Sequence, residues 1–268
     1  MKTTKIRTLI ILAGGKSARF GTIGELIPKS LLPIYETSLL EKQIEEAFAA
    51  GIERVIISTH PTFKSKITKL IKHKNRGVII VFNALHAYSS FLALAYVIRE
   101  MSISEPIFVS LADIYFLSNP FRNIIAMNEN KTCLFLAEPF HKNELMRGGI
   151  AFVENGEITK IIAKPMSANG QGLRWSGLCS ITYEHQKLLF DYTNGRTDEF
   201  LPEDFFSYLL DKGDEVLWCR TTDFINNNTS KEILLSSLYN LAEHLADPSS
   251  SQIREAANIF RKQILSNH

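Results

Sequence analysis

The chain has 268 residues, 45% of them apolar and 22% charged, with a formal net charge of +2. That length suits one large α/β domain or two small ones, and the apolar fraction excludes global intrinsic disorder. Thirty basic residues against 28 acidic ones is near balance, which argues against a dedicated nucleic-acid binder and leaves room for a local basic pocket facing a small anion.

The N-terminus, Met1 to Arg7, is basic and precedes an apolar run. Leu9–Ala13 is cut by Gly14-Gly15-Lys16, and is shorter than the roughly 7–15 residues of a signal core. Ile6–Leu12 therefore reads as a buried first strand. Leu39–Ala50 has helical spacing and ends at Gly51, a C-terminal signal. Arg54–Ser58 reads as a strand, Phe63–Lys72 as a helix, Val78–Phe82 after Gly77 as a strand, and Phe91–Met101 as a helix. Pro106–Leu111 is a fourth strand, ending at Ala112-Asp113. Continuous β-branched runs alternating with helices predict βαβ units and a mostly parallel sheet with helices on both faces. After Pro120 the rhythm changes. Lys131–Ala137, Gly149–Val153, Ile158–Ile162 and Leu178–Tyr183 are strand-like, and Asn155-Gly156 is a hairpin signal, so this half is expected to mix antiparallel strands into the sheet. Phe200–Asp211 reads as a helix and Glu215–Cys219 as a strand. Lys231–Ala246 and Ile253–Leu265 form a terminal helix pair joined by residues 247–251.

No stretch reaches the roughly 18 apolar residues that span a bilayer. Cys133, Cys179 and Cys219 lie far apart in apolar runs, without zinc-ligand spacing or a disulfide framework, and suit a reducing compartment. A cytoplasmic location and no membrane partner are expected, which makes the sequons at Asn130 and Asn228 accidental. His60, His86 and His141 form no metal-spaced cluster and read as turn or surface residues.

The strongest signal is Leu12-Ala13-Gly14-Gly15-Lys16-Ser17-Ala18-Arg19, followed by Pro28-Lys29-Ser30-Leu31-Leu32-Pro33. A strand running into a glycine pair presents free backbone N–H groups, and glycine lets that backbone approach a polyphosphate closely. Ser17 can donate to a phosphate oxygen. Arg19 and Lys29 bring two cations to the same loop, which suits a triphosphate. The loop is neither a Walker A sequence nor a G-x-G-x-x-G fingerprint. A bare glycine pair would be an ordinary turn; the whole constellation argues for a nucleotide.

Here the chain resembles the nucleotidyltransferases that make nucleoside-diphosphate sugars, whose opening motif is Leu-Ala-Gly/Ala-Gly-x-Gly/Ser-x-Arg and then Pro-Lys-x-Leu-Leu-Pro. The Ser17 form is also similar to molybdopterin guanylyltransferases, but Pro28–Pro33 favours the sugar-phosphate branch. The resemblance spans about Ile6 to Ser236. It implies a Rossmann-like fold, a nucleotide resting on Leu12, Ala13, Gly14, Gly15 and Ser17, and catalytic roles for Arg19 and Lys29 on the phosphates.

Asp113 ends a buried strand, where ligands bind in open parallel sheets, and a carboxylate there suits Mg²⁺. On position alone a turn or cap aspartate is as good a reading; the resemblance implies the metal ligand. It also implies a second ligand in a strand–Asp-x-x-Thr segment. Aligning Thr229 with the threonine of that segment puts Asn226 at the ligand position, with Asp223 the alternative if the loop is re-registered. Thr229 or Ser230 doubles as a helix N-cap.

On the acceptor side, Gly148-Gly149 and Ala163-Lys164-Pro165 resemble the family's acceptor-binding segments, with Ala163 where the family has glutamate. The resemblance implies that Gly149, Lys164 and Gly177 meet the acceptor, Lys164 on its phosphate. Ala87-Tyr88-Ser89-Ser90 stands where the family carries a base and sugar loop, which implies nucleotide contacts from Ser89 and Ser90; Tyr88–Phe91 also resembles phosphocholine cytidylyltransferases.

These observations predict a nucleotidyltransferase catalytic domain over 1–236 and a helical extension over 237–268, which forms a homo-oligomer contact or packs on its own domain. The expected partners are an NTP and a small phosphorylated acceptor, with Mg²⁺ as cofactor and no nucleic acid. The rivals are a molybdopterin guanylyltransferase-like enzyme and a catalytically impaired paralogue that binds a nucleotide sugar.

Overall fold

The computed structural model describes residues 6–15, 17–71, 77–83, 89–122, 131–165, 172–196, 200–245 and 249–266. Strand β1 (Thr8–Ala13) runs into the glycine pair. Helix α1 (Gly21–Leu26), the hairpin strands β2 (Pro33–Ile34) and β3 (Thr37–Ser38) and helix α2 (Leu39–Ala49) follow. Then come β4 (Arg54–Thr59), α3 (Pro61–Ile71), β5 (Val78–Asn83), α4 (Ser90–Glu100), β6 (Ile107–Leu111) and β7 (Ile114–Phe116). The second half holds β8 (Thr132–Ala137), β9 (Gly149–Glu154), β10 (Glu157–Ala163), β11 (Leu173–Ile181), α5 (Tyr183–Thr193), α6 (Pro202–Asp211), β12 (Val216–Arg220), β13 (Phe224–Asn226), α7 (Ser230–His244) and α8 (Ser249–Ser266).

Among the described residues, nine strands form one sheet. Its order is β10-β9-β11-β6-β1-β4-β5, with β8 also paired to β11 and β12 to β8. β6, β1, β4 and β5 are parallel, whereas β11 is antiparallel to β6, β8 and β9. The sheet is thus mostly parallel on one side and mixed on the other, as the change of rhythm after Pro120 predicts. The chain winds outward from β1 through β4 to β5 and then returns to β6 on the other side of β1. That reversal opens a crevice at the carboxyl ends of β1 and β6, where open α/β sheets bind ligands.

Alternation along β1 builds both faces. Leu9, Ile11 and Ala13 pack with Leu40, Ile44, Phe63 and Ile67 from α2 and α3. Ile10 and Leu12 point the other way, toward Phe91 and Leu94 of α4 and Phe205 and Phe206 of α6, the period-2 pattern of a strand buried on both faces. A third cluster joins Leu235, Tyr239, Ala257 and Ile264 of α7 and α8 to Ile34, Leu39, Tyr115 and Ile225, so the terminal helices pack on their own domain. No helix among the described residues is long and apolar enough to cross a membrane.

Local signals account for many boundaries. Ser38 and Glu41 form a capping box at the start of α2, and Gly51 just past its end has φ +90°. Asn155 and Gly156 both have positive φ, as a two-residue I′ turn requires, and join β9 to β10 antiparallel. Three expectations are corrected. The strand read at Leu178–Tyr183 is Leu173–Ile181. Thr182 caps a helix by accepting from the His185 N–H at 3.2 Å, so Tyr183 opens α5, which the sequence reading missed. Ser249–Ser251 belong to the first turn of α8 rather than to a linker; residues 246–248 lie outside the described residues.

Candidate active site

A cavity of about 600 Å³ opens at the carboxyl ends of β1 and β6. All the residues proposed from sequence for nucleotide, acceptor, metal and catalysis line it: Leu12, Ala13, Gly14, Gly15, Ser17, Arg19, Lys29, Ser89, Ser90, Asp113, Gly149, Lys164, Gly177 and Asn226. Ala87, Tyr88 and His86 lie outside the described residues. His60 also reaches the rim, where its Nδ1 accepts the Thr62 N–H at 3.3 Å at the start of α3.

The loop that follows β1 is held by its own residues. Ser17 has φ +53°, a costly conformation for a non-glycine residue. Its hydroxyl accepts the Lys29 N–H at 2.8 Å, which ties the start of the loop to its end. A Cβ at Gly24 would lie 2.1 Å from the Ser17 carbonyl oxygen, so α1 closes on Ser17 only with glycine there. At Gly14 and Gly15 a Cβ would meet nothing within 4 Å.

The Lys29 ammonium pairs with the Asp113 carboxylate, both side chains being largely shielded from solvent. Asp113 occupies the tight turn between β6 and β7. Buried Gln43 of α2 grips that turn, donating to the carbonyls of Leu111 at 3.0 Å and Ile114 at 2.9 Å and accepting from Ser110 at 2.9 Å. From the other side the Asn227 N–H donates to the Asp113 carbonyl at 2.9 Å. Asn226 pairs with Ile114 in the β13–β7 ladder.

Asn226 Oδ1 is buried and has no hydrogen-bond partner among the described residues. A buried carbonyl oxygen without a donor is costly; beside the Asp113 turn it fits a Mg²⁺ that draws its other oxygens from phosphate and water. No group of three or more His, Cys, Asp or Glu residues among those described could hold a metal by itself. Asp223, the alternative ligand, is engaged elsewhere: it receives Arg261 at 2.5 Å and Arg174 at 3.4 Å.

Among the residues expected to meet an acceptor, Lys164 follows β10 with φ +40° and its N–H donates to the Gly148 carbonyl at 3.0 Å. The pairing of β11 with β8 shifts register between Trp175 and Cys179. That irregularity contains Gly177, at φ +73°, and turns it toward the cavity. Two residues missed from sequence line this end. Glu203, in the first turn of α6, is buried against Gly149, where a Cβ would lie 2.3 Å from its Oε1. Burial pushes the Glu203 carboxyl above its ordinary pKa, Asp204 adds to the rise, and Lys164 opposes it. Arg147 donates to Glu232 at 2.8 Å. Glu232 also accepts the N–H groups of Asn228 at 2.8 Å and Thr229 at 2.7 Å, and Asn228 Oδ1 receives Arg19 at 2.9 Å. The start of α7 and the turn before it therefore anchor both Arg147 and Arg19. In the lining, Arg19, Lys29, Arg147 and Lys164 outnumber the carboxylates Asp113 and Glu203, the balance expected of a site for anions.

Residues 9–137 match the family model described as the MobA-like NTP transferase domain. The choline-phosphate cytidylyltransferase of Streptococcus pneumoniae is 36% identical over 115 residues, 42% of this chain and 48% of that one. The glucose-1-phosphate thymidylyltransferase of Neisseria meningitidis is 26% identical over 160 residues, 58% of this chain and 55% of that one. The chain thus spans about half the length of these relatives. Among solved structures, a UDP-glucose pyrophosphorylase complexed with UDP-glucose superposes with a TM-score of 0.75 at 18% identity, covering 89% of this chain and 100% of that one. The resemblance to sugar-phosphate nucleotidyltransferases read from the N-terminal motifs holds in sequence, and the fold agrees with it.

Proposed function

We propose that this protein transfers a nucleoside monophosphate from an NTP to a sugar 1-phosphate or a related phosphate ester, releasing pyrophosphate. The observation that carries the reading is the single cavity in which the Gly14-Gly15 backbone, Arg19, Lys29 and Asp113 face Arg147, Gly149 and Lys164. Neither a positive φ nor a protein neighbour demands glycine at positions 14 and 15; close approach of a polyphosphate accounts for both.

The acceptor phosphate has a second pKa near ~6, so at neutral pH it is an ionised nucleophile and needs no general base. Lys164 and Arg147 orient it toward the α-phosphorus of the NTP. Lys29 and Arg19 neutralise the charge that grows on the phosphoryl oxygens and the departing pyrophosphate, which makes catalysis positioning plus electrostatic stabilisation. Asp113 and Asn226 would hold Mg²⁺, whose charge helps to neutralise the phosphates. The Asp113 carboxylate also keeps Lys29 inside the cavity.

Intact Arg19, Lys29 and Asp113 speak against an impaired paralogue. The printed names of the curated relatives, on choline phosphate and glucose 1-phosphate, favour this acceptor class over a molybdopterin guanylyltransferase-like one. Cys133, Cys179 and Cys219 form no disulfide, which suits a cytoplasmic site of action. Leu234 and Ile259 stay exposed on α7 and α8, and light scattering on the purified chain tests a homo-oligomer through those helices. The decisive experiment is a panel of NTPs against phosphate esters, read by pyrophosphate release with and without Mg²⁺. Release with one pair, dependent on Mg²⁺, supports the proposal; no release with any pair overturns it.

A further inference from the structure

Two of the pieces of chain that build the acceptor and metal side of the cavity share one support. One is the segment 140–149, which carries Arg147 and Gly149; the other is β13, which ends at Asn226. Both are fastened to one side chain on the last helix. Arg261 is only 2% exposed. It donates to Glu144 Oε1 at 2.7 and 3.1 Å, to Asp223 at 2.5 and 3.0 Å, and to the Phe224 carbonyl at 3.2 Å. Glu144 lies three residues before Arg147, and Asp223 three before Asn226. Arg174 of β11 holds the same two carboxylates from the sheet side, at 2.7 and 3.4 Å. Asn143 adds a second tie, donating to the Leu265 carbonyl at 2.8 Å. The cluster sits directly behind the cavity: a small cleft lined by Glu144, Arg174 and Arg261 shares Arg147, Asn226 and Asn228 with it.

We infer that Arg261 is a positioning residue, which through Glu144 and Asp223 holds the Arg147 loop and the Asn226 strand in register. The inference rests on the nucleotidyltransferase reading for its catalytic consequence. On it, residues 237–268 supply a part of the site's scaffold that the rest of the chain lacks. A cluster of two arginines and two carboxylates in which all but Asp223 are buried is a poor device for stability, because desolvation offsets the attraction; what it fixes is geometry. Its carboxylates come from the two segments that carry site residues. Without Arg261, Arg174 alone faces buried Glu144 and partly exposed Asp223, and Glu144 Oε1, left without its donor, can compete with Glu232 for the Arg147 guanidinium. A lysine keeps the charge but cannot bridge both carboxylates as a planar fork does.

The test compares Arg261→Met and Arg261→Lys with the wild-type chain in two ways. Amide hydrogen exchange is measured at 145–149, at 224–226, and in β1 and β4 as controls. With the best substrate pair, the KM for acceptor, the KM for NTP and the Mg²⁺ concentration for half-maximal rate are measured. In Arg261→Met, exchange in the two segments should quicken tenfold or more with the controls unchanged. Acceptor KM and Mg²⁺ requirement should rise tenfold or more while NTP KM stays within twofold. Arg261→Lys should fall between, and it carries the test if the methionine variant does not fold. Unchanged exchange at both segments, an even rise that includes β1 and β4, or an equal rise in both KM values overturns the inference. A wild-type chain without pyrophosphate release sinks the nucleotidyltransferase reading instead, and the exchange arm still decides the clamp.

Discussion

On the proposed reading, the nucleotide and acceptor walls of the cavity are built by different means. The nucleotide wall comes from strand ends and one continuous loop, with Leu12–Gly15 leaving β1, Ser17 tied to Lys29, and the Asp113 turn gripped by Gln43. The acceptor wall gathers Arg147, Lys164, Gly177, Glu203 and Asn226 from five segments far apart in sequence. Of these, Arg147 and the strand that ends at Asn226 are held by ion pairs around Glu144, Asp223 and Glu232. Backbone register in a parallel sheet tolerates little variation, whereas a wall assembled from the ends and irregularities of several elements can be rebuilt for another acceptor without disturbing the nucleotide. Substitutions on the two walls should therefore fail in different ways.

The largest effect is expected on the nucleotide wall. Lys29→Ala and, separately, Arg19→Ala should each lower kcat by 10²–10³, about 3–4 kcal/mol of transition-state stabilisation, with melting temperatures near wild type, since neither side chain belongs to a core cluster. Turnover near the wild-type rate in either variant would remove that side chain from the reacting phosphates.

A second test addresses the seam between α2, which carries Gln43, and α7, which carries Glu232. Glu46 of α2 is buried beside Lys42 and Glu243, and burial raises its pKa from 4.5 to about 7, Glu243 adding to the rise while Lys42 opposes it. One of its oxygens has no hydrogen-bond partner among the described residues, which adds to the cost of the ionised form, while the other meets the Lys42 ammonium at 3.1 Å. The folded chain thus holds this proton more tightly than the unfolded chain does. Stability from this group is full below about 4.5 and is lost as pH rises toward about 7, on the order of 3 kcal/mol in all. Urea unfolding at pH 5 and pH 7.5 should show that loss in the wild type, and Glu46→Gln should shrink it. An equal slope in both proteins would assign the pH dependence elsewhere.

Two glycines contrast the walls more finely. Gly24→Ala drives a Cβ into the Ser17 carbonyl, a backbone group that can move only by disturbing the loop. It should cost ~1–3 kcal/mol and raise the KM for NTP, leaving that for the acceptor alone. Gly149→Ala meets the Glu203 side chain from Cγ to Oε1, a side chain that must leave its buried place but carries no loop backbone with it. The cost in stability should be smaller than for Gly24→Ala while the KM for acceptor rises. If the two variants affect the same substrate, the division of the cavity is wrong.

This difference in construction also governs what was legible in the sequence. The nucleotide wall could be read because its chemistry is contiguous: a strand, a glycine pair and two cations lie within one stretch of chain. Helix and turn signals at Ser38, Gly51 and Asn155-Gly156 were legible for the same reason. The start of β11 was hidden by the irregularity around Ser176-Gly177, which breaks the alternation of a strand. Glu203 was hidden because an acidic residue behind Pro202 reads as an ordinary first helical turn. Arg147, Arg174 and Arg261 acquire meaning only from carboxylates that the fold brings to them, and no local period encodes that.

The smallest expected effect falls on Ser89, where a structural and a ligand role can be separated. Its hydroxyl accepts the Leu92 N–H at 3.2 Å as the N-cap of α4, and Ser89 also lines the cavity. Ser89→Ala removes the cap and should cost about 1 kcal/mol, whatever the ligand role. Ser89→Asp keeps a capping oxygen and favours the helix N-terminus by charge, so stability should return to the wild-type level. A carboxylate there would, however, repel a nucleotide phosphate. If Ser89 faces the nucleotide, the aspartate variant should be as stable as wild type and yet show a raised KM for NTP, while the alanine variant shows the reverse order of damage. Melting curves and NTP saturation curves on the two variants measure both quantities. An aspartate variant with normal stability and an unchanged KM would leave Ser89 a helix cap and move the edge of the nucleotide wall back to Gly15 and Ser17.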